Sequence, residues 1–507
     1  MKKVAKNLIW GFGGQLLTLA MNFILPRLIL ISYGSEINGL TSTITQIFTY
    51  IALLEAGIGN ASKNCLYRFL AKNDQAGVST TVSATKKYFR KITPLYSLCV
   101  LAFAIIYPFC VETEIPHSTI CLLIFIRGLS GVIEFALTNT YIQLLEADGR
   151  NYIVSNLALM VKAVSTSLQI AFIAMGLDII SVQLAFFVTC VLKTIFVNIY
   201  IRRKYFWLVK DPNASIRMLD QRSAFVIHEI STVIFQNTDI FLISIFCSVT
   251  DASIYSIYNM VFIAISGIYG ILFQSIDYRL GLEFHRNRGS YIKMHDTIEV
   301  IYTSFVFAVI STAYVLIIPF VKLYTEGVND ANYVQPLLPM LFCVIQILSA
   351  SRAVASKLIT VSGRAKDTVP NTITEMLLNI VISIILIRFL GMPGALGGTI
   401  VALFYRTNDI IIYANKKILK RSPLRTYKTI VINITLFALI IMITRNISVH
   451  IANYGEFILH GLVVLPLCLA LYYGLHFILN RDVREIFGRI AIKMKKFIKL
   501  EARHGKT

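Results

Sequence analysis

Charged residues are scarce in this 507-residue chain, and acidic residues are scarcer than basic ones. Only 15% of the residues are Asp, Glu, Lys or Arg, whereas 56% are hydrophobic, and the mean hydropathy is +0.69. No polar stretch is long enough to form a water-soluble domain of its own. This composition excludes an ordinary soluble globular protein and indicates a chain that lies largely within a lipid bilayer.

Motifs for metal, redox or nucleotide chemistry are also missing. The eight cysteines form no CxxC pair and have no histidine at ligand spacing, so we expect neither a metal centre nor a disulfide framework. The sequence has no P-loop, which disfavours ATP hydrolysis, and we expect no cofactor. The connections between apolar stretches are short on one side, which disfavours a membrane polymerase or glycosyltransferase with catalytic residues on a large loop. We therefore expect a protein that is not an enzyme.

What the chain does contain is a series of fourteen apolar stretches, each about 20 residues or longer, which is the length that a helix needs to cross a bilayer. They cover residues 8–32, 38–58, 92–111, 117–143, 153–175, 179–201, 223–248, 253–277, 299–321, 334–360, 367–389, 393–415, 427–445 and 454–478. We predict an all-α polytopic membrane protein with fourteen transmembrane helices.

The basic residues fall mainly in every second connection between these stretches. Lys and Arg accumulate on the cytoplasmic side of membrane proteins, which predicts a cytoplasmic location for both termini. The formal charge of +21 then describes an inner surface that faces anionic membrane lipids, and nucleic acid is not an expected partner. Residues 481–507 space apolar side chains between Lys and Arg, which predicts a basic amphipathic helix on the inner leaflet.

The pattern of apolar stretches 1 to 6 is repeated in stretches 7 to 12. Gly149-Arg150 after stretch 4 matches Gly363-Arg364 after stretch 10, an offset of 214 residues, and the stretches themselves begin at similar offsets. We predict two six-helix lobes related by an axis along the membrane normal, with a cleft between them near the midplane. The predicted parts are an N-lobe (1–204), a C-lobe (205–421), spans 13 and 14 (422–480), and the basic tail (481–507).

Several ionisable side chains fall within the apolar stretches, where they should face the helix bundle or a wet cavity. Arg127, Lys162 and Arg406 lie near mid-membrane, and cations predominate there, which favours an anionic substrate. The full set of predicted substrate-binding residues is Arg127, Lys162, Lys193, Arg406, Arg352 and Arg27. The candidate ion-coupling residues are Glu134, Asp239 and Glu375, for H⁺ or Na⁺. The alternatives are interfacial snorkelling for Arg27, structural bonds between helices for Asp239 and Glu375, and neutralisation of a neighbouring cation for Glu134.

Several motifs resemble those of the Wzx-type polysaccharide flippases of the multidrug/oligosaccharidyl-lipid/polysaccharide (MOP) exporter superfamily. The resemblance is carried by Tyr33-Gly34-Ser35-Glu36-Ile37-Asn38-Gly39-Leu40, by Leu54-Glu55-Ala56-Gly57-Ile58-Gly59, by Asn237-Thr238-Asp239, by Ser256-Ile257-Tyr258, by Glu375 with Asn379, and by Gly391 through Gly398. It implies a MATE-like fold in the bacterial cytoplasmic membrane. It also implies a cargo, namely undecaprenyl-diphosphate-linked oligosaccharide for a surface polymer such as capsule or O-antigen.

This resemblance and the mid-membrane cations lead to the same expected mechanism. The diphosphate and sugars would cross through a wet cationic cleft by alternating access, while the polyprenyl tail stays in lipid. A multidrug or cation antiporter and a lipid II flippase of the same superfamily are the alternatives, because the fold alone does not determine the cargo.

Overall fold

The computed structural model describes residues 2–55, 58–216, 219, 223–286, 288–445, 451–480 and 484–485. Within these ranges the regular secondary structure is helical and contains no strand, as the apolar stretches predict. The predicted amphipathic tail, residues 481–507, lies outside the described residues except for 484–485.

The helices follow one another with short connections. They are α1 (Lys2–Ile51), α2 (Ile58–Leu70), α3 (Gln75–Ile106), α4 (His117–Leu137), α5 (Asn139–Ala147), α6 (Asn151–Ala174), α7 (Ile179–Lys204), α8 (Ser223–Phe246), α9 (Val249–Arg286), α10 (Arg288–Tyr324), α11 (Leu338–Ser351), α12 (Ala353–Val361), α13 (Val369–Leu390), α14 (Met392–Tyr413), α15 (Leu424–Thr444) and α16 (Tyr454–Leu479). Short 3₁₀ segments cover Ala52–Glu55, Tyr107–Phe109 and Ala365–Thr368, and a π-helical turn covers Ala414–Leu419.

Eleven helices in the described part of the chain are long and apolar enough to cross a membrane. One of these segments, Leu17–Ile51, is 35 residues long and covers parts of the first two predicted spans. In α8 the apolar segment is shorter, Ile230–Phe246. The multi-pass membrane character is therefore established, whereas the count of fourteen spans stays a prediction.

A kink divides α1 between the first two predicted spans. Gly34 has φ 83° and ψ 177°, a backbone conformation that L side chains rarely adopt. The backbone N–H of the next residue, Ser35, donates to Asp330 Oδ2 at 2.7 Å, and its hydroxyl donates to Asp330 Oδ1 at 2.6 Å. The kink in the Tyr33–Leu40 motif is thus tied to the 325–332 segment.

The two halves of the chain also repeat local backbone detail. Predicted spans 4 and 10 are each interrupted, at Thr138 between α4 and α5 and at Arg352 between α11 and α12, an offset of 214 residues. Gly149 and Gly363, also 214 apart, have φ of 71° and 73°. The same backbone hydrogen bonds close both turns. These matches support an internal duplication, and the lobe boundaries stay predictions.

By contacts within the chain, the residues form two compact units. The first comprises residues 1–260, 325–332 and 372–398. In it α4 packs against α3 and α7, and α6 packs against α7 and α1. The connection after α7 is fastened to α3, because Thr80 donates to Asp211 Oδ2 at 2.8 Å. This bond and the Asn213 backbone N–H hold the pKa of Asp211 below its usual value.

The second unit comprises residues 261–324, 333–371 and 399–507. Its central element is α10, which packs against α11, α15 and α16. A buried polar network joins these helices: Asn433 on α15 donates to Thr303 on α10 at 3.4 Å, and its Oδ1 lies 2.8 Å from Nε2 of His476 on α16. Because these groups satisfy one another away from water, α15 and α16 have a specific attachment to α10.

Candidate functional site: a cationic interior in the first unit

Arg127 on α4 and Lys162 on α6 are the two cations at the centre of the site. Both side chains are partly buried, and they are close enough to interact electrostatically. The Arg127 guanidinium carbon lies 3.8 Å from the centroid of the Phe186 ring on α7, a cation–π contact. Among the residues that the structure describes, no carboxylate forms an ion pair with Arg127 or Lys162. Within the described helices the pair therefore has no carboxylate in direct contact, and Glu134 acts on Arg127 only from a longer distance.

Polar side chains extend along α6 from Lys162. Ser165, Thr166 and Gln169 lie three, four and seven residues further on, which is the spacing of one helical face, and all three are buried. The hydroxyls of Ser165 and Thr166 have no hydrogen-bond partner within the described ranges. Buried polar groups are normally paired, so this face retains hydrogen-bonding capacity.

Lys193 on α7 has a different environment from Arg127, because a carboxylate balances its charge. Its Nζ lies 2.6 Å from Oε1 of Glu134 on α4, and the two side chains are 18% and 31% exposed. A small cavity of about 50 Å³ adjoins Lys193 between α5, α6 and α7, with Leu145, Leu157 and Phe196 in its lining. Glu134 thus compensates Lys193 in this structure, and its role in ion coupling stays a prediction.

The break after α4 allows a polar column to continue towards the cytoplasmic end assigned by the charge pattern. The hydroxyls of Thr138 and Thr194 lie 2.9 Å apart. Further along, Asn139 and Gln143 donate to the two Glu55 oxygens at 2.7 and 3.3 Å. The sequence alone does not connect these three residues. The one available signal was the i, i+4 spacing of Asn139 and Gln143, because their partner is remote in sequence.

The two other predicted coupling residues also belong to the first unit. Asp239 on α8 and Glu375 on α13 are each 5% exposed. Tyr255 on α9 forms a side-chain hydrogen bond with Asp239. Asn379, one helical turn after Glu375, is completely buried. Both acids are thus inside the protein, and their role in ion coupling stays a prediction.

The remaining predicted cations divide between the two units. In the second unit, Arg406 on α14 is 4% exposed and forms an ion pair with Asp409, whose other oxygen accepts from Asn371 at 2.6 Å. Arg352, also in the second unit, occupies the break between α11 and α12 and is partly buried. Arg27, partly buried on α1, belongs to the first unit. The charge of Arg406 is compensated, so Arg406 supports anion binding less than Arg127 does.

A close helix contact lies at the end of the first unit that the charge pattern assigns to the outside. Asn38 on α1 donates to the Ser253 hydroxyl on α9 at 2.7 Å, and both are buried. A Cβ at Gly39 would lie 1.7 Å from the Val249 carbonyl oxygen, so only glycine permits this approach. We call these four residues the outer seam. It joins the predicted N-lobe to the first helical turns after α8.

Comparisons with known proteins identify the fold. The chain is similar to the lipid II flippase MurJ in an inward closed conformation, with 13% identity and a TM-score of 0.62 over 92% of this chain and 98% of that one. It is also similar to an inward-facing multidrug resistance MATE family transporter of the MOP superfamily, with 11% identity and a TM-score of 0.56 over 86% and 100% of the two chains.

A MOP superfamily transporter from Pyrococcus furiosus gives 11% identity and a TM-score of 0.50, over 84% of this chain and 94% of that one. No protein-family model matches the sequence, and no curated protein matches it either. The protein therefore has the fold of MOP-superfamily membrane transporters. At these identities the likeness establishes the fold and leaves the cargo to be argued from the site.

Proposed function

We propose that this protein is a flippase that moves undecaprenyl-diphosphate-linked oligosaccharides from the inner to the outer leaflet of the bacterial cytoplasmic membrane. The cargo would serve the synthesis of a cell-surface polysaccharide. Transport proceeds by alternating access and without covalent chemistry. The observation that supports the proposal is the cation pair of Arg127 and Lys162, which no described carboxylate contacts directly, within a transporter fold.

The chemistry of this pair fits a diphosphate headgroup. A bare anion costs many kcal/mol to move into hydrocarbon, so its transit requires opposite charge along the path. Guanidinium and ammonium groups supply that charge together with directed hydrogen bonds. The free hydroxyls of Ser165 and Thr166 supply further hydrogen-bonding groups one turn away, suited to a sugar. Arg127 and Lys162 therefore bind the diphosphate in this proposal.

The other predicted residues take secondary roles in the proposal. Four cations adjust the electrostatic field along the proposed transport path. They are Lys193 and Arg406, each of which is paired with an acidic residue, and Arg352 and Arg27. Asp239, Glu375 and Glu134 couple transport to H⁺ or Na⁺. Fourteen spans, two six-helix lobes and cytoplasmic termini complete the proposed architecture.

The outer seam supplies the moving contact that alternating access requires. The hydrogen bond from Asn38 to Ser253 holds α1 and α9 together at the proposed outer end. Release of the cargo into the outer leaflet needs these helices to separate, and a single buried hydrogen bond contributes only about 1 kcal/mol. The seam can therefore both close and reopen within a transport cycle.

A multidrug or cation antiporter is the second candidate, because transporters with that name share the fold. A cationic drug would be repelled by Arg127 and Lys162, whereas a lipid-linked diphosphate is attracted. A lipid II flippase is the third candidate, and it is supported by the TM-score of 0.62 to a protein of that name.

Transport measurements in vesicles separate these candidates. The purified protein, reconstituted in vesicles, should move a fluorescent undecaprenyl-diphosphate oligosaccharide across the bilayer and should not accumulate a cationic dye. Protein-free vesicles give the background rate for each probe. Dye uptake without movement of the lipid-linked sugar would overturn the proposal, and faster movement of lipid II than of other lipid-linked sugars would favour the third candidate.

A further inference from the structure

Three side chains of ligand type converge on one buried point of α10 in the second unit. His295, Asp296 and Glu299 are 0%, 3% and 3% exposed. Their spacing, i, i+1 and i+4, places Glu299 one turn from His295, and one ligand atom from each lies within 4.8 Å of the others. The point lies at the end of α10 that the charge pattern assigns to the cytoplasm, remote in sequence from the cations of the first unit.

The imidazole of His295 has only a loose contact with Asp296 in this cluster. Neither of its ring nitrogens has a hydrogen bond in the described part of the chain, and Nδ1 lies 3.5 Å from Asp296 Oδ1. Burying a polar group without a partner costs free energy. Imidazole is also the commonest protein ligand of transition metals. A ligand that accepts the His295 lone pair would remove this cost.

Two arginines hold Asp296 in the present arrangement. Arg421 Nη1 donates to Asp296 Oδ2 at 2.8 Å, and Arg425 Nη1 lies 3.0 Å from the same oxygen. Asp296 Oδ1 is 2.6 Å from Arg421 Nη2, with no well-formed hydrogen bond, and it faces His295. Both arginines already contact the Asp296 carboxylate, so a metal cation must compete with an arginine.

The two arginines differ in how easily they can leave. The Arg425 side chain is 45% exposed, whereas that of Arg421 is 21% exposed and also donates from Nε to Asn415 Oδ1 at 2.9 Å. Arg425 is the more exposed of the two, so it can exchange its contact with Asp296 for water more readily than Arg421 can. Glu299 keeps its second oxygen available, since Thr426 donates to Oε1 at 2.9 Å.

We propose that His295, Asp296 and Glu299 form a regulatory binding site for one divalent transition-metal ion, with Zn²⁺ and Mn²⁺ as the best-matched ions. One imidazole and two carboxylates supply three protein ligands, and water completes the shell. Ligand atoms about 2.0–2.2 Å from the ion lie closer together than 4.8 Å, so binding draws the three side chains inward. The ion replaces Arg425 at Asp296, which loosens the start of α15 from α10.

The test is metal binding to the tag-free, full-length protein in detergent after removal of metal by a chelator. Titration with Zn²⁺, Mn²⁺ and the spectroscopic probe Co²⁺, followed by elemental analysis, should give one ion per chain. His295→Ala should weaken binding at least tenfold. If His295→Ala does not fold, Glu299→Gln is the second variant, and it should also weaken metal binding at least tenfold. It keeps the shape of the side chain and an oxygen that accepts the hydrogen bond from Thr426. The matched control is His117→Ala, at an exposed histidine on α4.

Arg425→Gln distinguishes a built site from adventitious binding. Because Arg425 competes with the ion, its removal should tighten metal binding at least threefold. Unchanged or weaker metal binding by the Arg425→Gln variant would contradict the proposed replacement of Arg425 by the ion at Asp296. Absence of a stoichiometric ion, or equal binding by wild type and His295→Ala, would overturn the site itself. Metal binding is the readout, so the result does not depend on the proposed transport function.

Discussion

Replacing Arg127 and Lys162 together with glutamine should lower the flipping rate of a lipid-linked diphosphate oligosaccharide at least about 100-fold. A hydrogen bond to a charged group contributes about 1.5–3 kcal/mol, and about 1.4 kcal/mol corresponds to a factor of ten. Two such interactions lost from the transit path therefore give a factor of a hundred or more. Each single variant should lose about tenfold. The measurement is the initial rate of headgroup translocation in vesicles containing equal amounts of protein.

The matched control for this experiment is Lys91→Gln, which removes one positive charge from an exposed position on α3. It should flip at the wild-type rate. Thermal unfolding of all variants in detergent checks that they fold. Wild-type rates in the double variant would remove the cation pair from the mechanism, whatever the behaviour of Arg406 or Lys193.

Locking the outer seam should stop transport almost completely. In a background where the eight native cysteines are replaced, Asn38→Cys and Ser253→Cys place two thiols where the side chains now touch. A short bifunctional thiol reagent should join them and reduce flipping to the protein-free background, a loss of about 100-fold or more if the seam must open in every cycle. A reductant that cleaves the linker should restore the rate.

Each single-cysteine variant, treated with the same reagent, serves as the control and should keep most of its activity. Gly39→Leu acts in the opposite direction, because its Cβ alone would meet the Val249 carbonyl at 1.7 Å. It should hold the seam apart and speed the labelling of a cysteine at Ser253 by an impermeant reagent from outside. Transport by the cross-linked protein at the unmodified rate would show that the seam is a static contact.

The helical class could be predicted from the sequence because apolar length is a property of each segment alone. The helix interruptions at Thr138 and Arg352 could not be predicted from the sequence, because neither position has Gly or Pro, the usual signals of a break. The kink in α1 was signalled by Gly34, whose positive φ other residues rarely adopt. The breaks and kinks of the helices could thus be predicted only in part from the sequence.

Pairing of the buried charges was predictable only where the partners are neighbours. Arg406 and Asp409 are three residues apart on α14, a helical spacing that the sequence displays. Lys193 and Glu134 are 59 residues apart, so their contact depends on how α4 and α7 pack. The same holds for Glu55 with Asn139. The sequence predicts midplane positions for Arg127 and Lys162, but only the structure shows that no described carboxylate contacts them directly.

The central claim is that Arg127 and Lys162 recognise the charge of the headgroup, and ligand binding measures this most directly. Purified wild-type protein and the Arg127→Gln/Lys162→Gln variant should each be titrated with a polyprenyl-diphosphate oligosaccharide and with the same oligosaccharide on a neutral polyprenol. We expect the wild type to bind the charged ligand at least tenfold more tightly than the neutral one, and the variant to lose that preference. Equal affinity of the wild-type protein for the two ligands would contradict the account.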